Sequence, residues 1–250
     1  MTNYPLSAYG NTNPNAGYPA NGDVAAWGGY QWPNCPPASL QGTTDYTSKY
    51  GQRLRVTVRK ELVELVTLSF KIADLDNYKI WANKDGENWG PWGGECRAIS
   101  GTSNPSGHSV FVAVDENAPY NPYSYTWQSD MPPAYVAHME SLGFYWGGRY
   151  RNQKYDPMHF GFCRKPGDVA GYVAKAKAIL GEDDDVALSD EDKKFITDTV
   201  NNAINKALYV STDDAAQDGN PNKYTLASGI ARVVRLTSLT WQKLNNEPPR

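Results

Sequence analysis

The 250-residue chain is poor in histidine and cysteine, with three of each, and carries a formal charge of only −3. Each scarcity excludes something. With no charge excess, and no basic stripe interleaved with aromatic residues, nothing points to a nucleic-acid partner. No apolar run approaches the roughly 20 residues of a membrane span, so no transmembrane segment is expected. The opening Met1-Thr-Asn-Tyr-Pro-Leu6 lacks the basic start and apolar centre of a secretory leader, and the expected place of synthesis is therefore the cytoplasm. Cys35, Cys96 and Cys163 form an odd set without the spacing of a zinc ribbon. In a cytoplasmic product buried free thiols are expected, with one disulfide as the alternative.

Tyrosine and tryptophan are plentiful, with 17 and 8 copies. Residues 1–44 combine them with Gly, Pro and Asn in repeated turn pairs and show no helical period, which predicts an irregular N-terminal arm. Trp27, Tyr30 and Trp32 would pack this arm on the rest of the chain, because a disordered segment would hold fewer aromatics. From Arg53 the pattern changes. Val58, Leu62, Leu65, Val66, Ser69, Phe70 and Ala73 recur near helical spacing, predicting a buried-face helix over 60–75. Further helices are expected after Met131, opened by proline and stopped by Gly143, and over 165–180, stopped by Gly181. Strands are expected at 96–99, 111–114 and 160–163, with Glu116 in a solvated loop and a basic loop at 149–154. The expected fold class is α+β: a small antiparallel sheet flanked by helices, with a C-terminal helical appendage. Amphipathic stretches at 188–208 and 226–244 make up that appendage. Alone they would form a thin core, so they would pack on the domain before them, on the surface of a partner, or on copies of themselves in self-association.

Two of the three histidines fall in short segments that also hold an aspartate: Ser106-Gly-His108, leading to Asp115, and Asp156-Pro-Met-His159. A lone histidine is more often a hydrogen-bonded core or surface group than a ligand, and His138, on the helix after Met131, is read that way. For the other pair the chemistry of a hydrolytic zinc site supplies a sharper reading. Such a site needs three nitrogen or oxygen ligands, an open position for water, and a carboxylate to take that water's proton. His108, Asp115, His159 and Asp156 can fill those roles.

The order and spacing of several segments resemble the VanY-like D-alanyl-D-alanine carboxypeptidase and L-alanyl-D-glutamate endopeptidase family of zinc metallopeptidases, in particular the branch found in bacteriophage endolysins. The matching segments are Cys96-Arg97 with Ile99-Ser-Gly-Thr102, Ser106-x-His108, Ala113-Val-Asp115 through Pro122, Met131-Pro-Pro133, Gly143 through Gly148, and Asp156-Pro-Met-His-Phe160. The resemblance implies a peptidoglycan peptidase with Zn2+ on His108, Asp115 and His159 and with Asp156 as general base. It also implies that Arg97 contacts the substrate carboxylate or the developing oxyanion. Ser106 would hold substrate or orient His108. The stem peptide of peptidoglycan would be the partner, and the bacterial cell wall the place of action. The resemblance covers about residues 50–165; with the composition on either side, the expected domain division is an arm at 1–44, a zinc peptidase domain at 45–181 and a C-terminal region at 182–250.

Two positions depart from the family pattern. Val110-Phe-Val112 stands where members usually carry glycine, and Gly161 stands where they usually carry glutamate. Seven residues of straight strand would span about 23 Å, so the chain must bend between His108 and Asp115. Without glycine the bend is expected in ordinary backbone space around 107–110. These departures keep open a second reading, a wall-binding module with a structural metal centre. A third is a regulatory or assembly protein that acts through its C-terminal helices.

Overall fold

The computed structural model describes residues 2–182 except 21, 100 and 151–153, and all of these lie in one compact unit, Met1–Asp184. The amphipathic stretches 188–208 and 226–244 fall outside the described residues. Among those described, no helix is long and apolar enough to cross a membrane.

The architecture is α+β. A 3-10 turn, Lys60–Leu62, runs into helix α1, Val63–Leu75, whose Leu65, Val66, Phe70 and Ile72 are buried. Asn77, at φ 58°, ends it: the amide of Tyr78 donates to the Ala73 carbonyl and that of Asn77 to Asp74, closing the helix carbonyls by a left-handed residue. Helix α2, Pro133–Ser141, starts on proline, where a missing amide costs nothing, and stops before Gly143 at φ 84°. Helix α3, Val169–Leu180, ends at Gly181 in the left-handed region and packs along α1.

Three short strands form the central sheet: β1, Ala113–Asp115; β2, Phe144–Trp146; β3, His159–Phe162. Their order is β1-β3-β2, antiparallel throughout, with Asp115 opposite His159, Val114 opposite Phe160 and Ala113 opposite Gly161. Alternation along a strand sends successive side chains to opposite faces. Val114, Phe160, Phe162, Phe144 and Trp146 therefore make the apolar face, and all five are fully buried in the core. Asp115, His159 and Gly161 share the other face.

The arm belongs to this packing. Tyr9 and Trp27 are core residues, and the Trp27 ring meets Phe162 edge-on at 6.2 Å while Tyr30 and Trp32 are half-buried. Arg149, expected in a basic loop, is buried: it pairs with Glu140 at 2.8 Å and donates to the carbonyls of Tyr9 and Gly10, clamping the arm to α2. Cys35 and Cys96 form a disulfide, with Cα atoms 5.8 Å apart, and only Cys163 stays a buried thiol. The expectation of free thiols fails because the pairing joins positions 61 residues apart, a proximity created by the arm's return and invisible in spacing.

Candidate metal centre and cleft

Register brings Asp115 and His159 together, and a turn brings His108 to them. Gly107–Val110 forms a 3-10 turn capped by the Ser106 hydroxyl, which accepts from the His108 amide at 3.3 Å. The bend lies where expected, but its exit differs: Phe111 sits at φ 66°, in left-handed space that costs a non-glycine residue on the order of 1 kcal/mol. Packing holds it there. Its ring lies so close over Gly94 that a β-carbon on that glycine would sit 1.9 Å from it, and its carbonyl accepts from the Arg59 amide at 2.7 Å. The strand begins at Ala113 rather than at Phe111.

The three facing atoms are His108 Nε2, His159 Nδ1 and Asp115 Oδ1. Their separations are 3.2 Å between the nitrogens, 3.1 Å from His108 to Asp115 and 2.9 Å from His159 to Asp115. Ligand atoms of a tetrahedral ion with bonds of about 2.0–2.1 Å stand roughly 3.3 Å apart, so the set is close to the size a zinc ion requires. His108 is oriented for this role: its Nδ1 lies 2.7 Å from the Gly93 carbonyl, which fixes the proton there and turns the Nε2 lone pair inward. These residues could hold a metal ion.

The charges are interlocked. Burial alone would raise the Asp115 carboxyl, but the charge and hydrogen bonds of His108 and His159 more than reverse it and hold it below the usual carboxylate range. Burial likewise lowers His108, and the Asp115 carboxylate more than restores it. The triad opens onto two clefts of about 310 and 460 Å³ that share His108, Asp115 and Arg97. Asp156 stands on the wall of the smaller one with Tyr150, Tyr123 and Met158. Burial pushes the Asp156 carboxyl up to about 6, with attraction from His159 offset in part by repulsion from Asp115. Its Oδ1 is buried without a hydrogen-bond partner among the described residues. Burial and the Asp156 charge hold the Tyr150 hydroxyl well above the phenol range, so it stays protonated on that wall.

Arg97 reaches both clefts from an irregular segment rather than the expected strand; only an isolated bridge, Ala98 to Pro105, lies there. Its Nε donates to Glu95 at 2.7 Å, and the side chain is 42% exposed, so the guanidinium can turn toward a ligand in the cleft. Ser106 caps the His108 turn and also lines the smaller cleft. His138 is remote in role, with Nδ1 2.8 Å from Asp76.

Glu116, expected in solvent, is fully buried: Tyr135 of α2 donates to both of its oxygens, at 2.9 and 3.0 Å. Burial pushes it up to about 8, helped by Asp115 and Asp130 against the Tyr135 hydrogen bond. Sequence reasoning also missed Gly93, which acts through its backbone carbonyl and leaves no side-chain signature, and Ala20, which lines the smaller cleft.

The family model for D-alanyl-D-alanine carboxypeptidase matches residues 100–162, from just before the His108 turn to the end of β3. Arg97 and the arm lie outside that range. No curated protein and no solved structure matches the chain.

Proposed function

We propose that the chain is a zinc-dependent peptidase that hydrolyses a peptide bond in the stem peptide of peptidoglycan, in the manner of a phage endolysin. The observation that carries this reading is the convergence of His108, Asp115 and His159 in a cleft that Asp156 also lines. The matched family range, which contains all four, supports it. In this reading residues 45–181 are the catalytic domain, 1–44 an arm built into it, and 182–250 an appendage that serves wall binding or self-association.

His108, Asp115 and His159 would hold the ion. Bound zinc supplies Lewis acidity, polarising a carbonyl and making a nearby water a better proton donor at neutral pH. Asp156 is the proton acceptor for that water: held near 6 by burial, it is mostly ionised at pH 7 yet basic enough to take a proton and pass it to the departing amine. Arg97 swings from Glu95 to the negative charge that develops on the carbonyl oxygen, or to the substrate's terminal carboxylate, with two N–H donors. Ser106 keeps the His108 turn closed. Tyr123 and Tyr150 flank the peptide.

The test is Asp156→Asn with wall clearing as the measurement. The expected loss is about 10²–10⁴-fold with zinc still bound; clearing within a few fold of the parent would remove Asp156 from the mechanism. Activity of the parent should rise through a limb at or below about pH 6, since the base must be ionised and a bound cation lowers its pKa further. Mass spectrometry of peptides released from defined peptidoglycan decides between loss of terminal D-alanine and cleavage between L-alanine and D-glutamate. Tight wall binding with zinc present and no peptide released would establish the binding-module reading instead.

A further inference from the structure

The two histidines of the triad are not equally supported. His108 has its outward nitrogen fixed on the Gly93 carbonyl at 2.7 Å. His159 faces the triad through Nδ1, and its outward Nε2 is buried with no hydrogen-bond partner among the described residues. A ring that gives Nδ1 to a metal carries its proton on Nε2, and a buried N–H without an acceptor is left with its desolvation penalty uncompensated. Something must meet it. Gly161 lies two residues along β3, on the same face, and the space above it is shared: a β-carbon there would stand 3.4 Å from His159 Nε2 and 2.3 Å from the carbonyl oxygen of Ala20. The arm enters this gap closely. Gly22, at φ 88°, is pressed against Val112 of the turn's exit, where a β-carbon would come within 2.6 Å of the valine methyl, and Ala20 itself lines the cleft. Val112 and Gly161 are thus both where the arm docks.

We propose that, when Nδ1 holds an ion, the Ala20 carbonyl closes on the outward N–H of His159, a bond the present arrangement leaves unmade, making the N-terminal arm the positioning element of the second histidine. A side chain at 161 would evict the arm, and its absence is what admits the carbonyl. This rests on the metal-binding reading of the triad. It adds that metal affinity and arm docking are coupled: by reciprocity, whatever loosens the arm weakens the ion, and the ion tightens the arm.

The experiment measures Zn2+ affinity by chelator competition in the full chain, beside hydrogen exchange of the arm amides and the imidazole N–H spectrum of ¹⁵N-histidine-labelled protein. Loss of a group that orients a ligating histidine weakens metal binding about 10–100-fold. That loss is expected for Gly161→Ala and for Gly22→Ala, whose added β-carbon would press on Val112 and, at 3.2 Å, on the Phe162 carbonyl at the end of β3, and so lift the arm while leaving position 161 unchanged. Zinc should slow exchange at the amides of Trp27 and Gly29, which bond within the arm to Asp23 and Val24, and should give His159 a slowly exchanging Nε2 proton. A purely structural role for the arm would lower thermal stability without moving the zinc constant. If Gly161→Ala does not fold, Gly22→Ala and the parent spectra still decide. Arm amides opened in Gly22→Ala with zinc affinity within twofold of the parent would overturn this proposal alone. A parent chain that takes up no zinc would overturn the site reading and this proposal with it.

Discussion

The helix-backed side of the sheet and its cleft side are built by different rules. Behind the sheet, α1, α2 and α3 bury aliphatic and aromatic side chains in register, and the face of Phe144, Trp146, Phe160 and Phe162 is dry. In front of it almost nothing repeats: a 3-10 turn, a left-handed phenylalanine, a Gly-rich segment and a returning arm are held by single contacts. The first side gains stability from area removed from water. The second spends part of it, burying Asp115, Asp156 and two imidazoles in one pocket. Substitutions on the two sides should therefore fail differently, with chemistry lost in front and stability lost behind.

The largest effect is expected in front. His159→Ala removes one of the three candidate ligand atoms, so zinc affinity should fall by more than the roughly 100-fold produced by losing an outer support, and wall clearing should fall with it. Metal-free melting should shift by only a few degrees. Zinc content by elemental analysis and a melting curve of the metal-free protein check both halves. A collapse of the metal-free fold would erase the proposed division between the two sides.

Behind the sheet, Phe160→Ala opens a cavity at the contact of β3 with Tyr135, whose ring it meets edge-on at 6.0 Å. The expected cost is about 3–5 kcal/mol, read from denaturant unfolding, although its neighbour in sequence is His159. Native-like zinc affinity in the surviving folded fraction would sharpen the comparison, because adjacent residues on opposite faces of one strand would then have separate jobs.

Glu116 tests the boundary between the two, since it follows Asp115 in sequence yet points to Tyr135 on the helix side. Its folded pKa, up to about 8, lies above its ordinary 4.5. The folded state therefore binds a proton that the unfolded chain releases, and this contribution is full below about pH 4.5 and lost as pH rises through 8. Glu116→Gln stays neutral and keeps an acceptor for Tyr135. In metal-free protein the variant should match the parent near pH 4 and exceed it by on the order of 2–4 kcal/mol at pH 9. Parallel pH profiles would place the carboxylate in contact with solvent.

What could be read from the sequence follows the same divide. The three helices were legible because apolar spacing, an opening proline and closing glycines are local signals, and they agree with the packing. The meeting of two histidines with an aspartate was legible through chemistry and motif order, since few side chains suit a metal. The rest depended on partners far along the chain. Glu116 reads as solvated until Tyr135 covers it; Arg149 reads as a surface base until Glu140 and the arm's carbonyls claim it. Phe111 takes a glycine's backbone because Gly94, distant in sequence, makes room for its ring. Backbone groups such as the Gly93 carbonyl carry no sequence code at all.

The smallest expected effect concerns the histidine that belongs to neither the metal nor the core. His138 lies on α2 and meets Asp76, just past the end of α1, with a third of its side chain exposed. A pair of this kind, with the imidazole a third exposed and able to reach water, contributes about 1 kcal/mol. His138→Asn can still donate to the aspartate, so it should move unfolding by no more than that and leave zinc stoichiometry and wall clearing at parent levels. Because the chain has only three histidines, this variant is also the control that gives the other two their meaning. If it cost zinc, the loss on His159→Ala could reflect general damage to histidine-bearing elements. With zinc retained here and lost there, the ion is tied to the face where Asp115 and His159 stand opposite each other in the sheet.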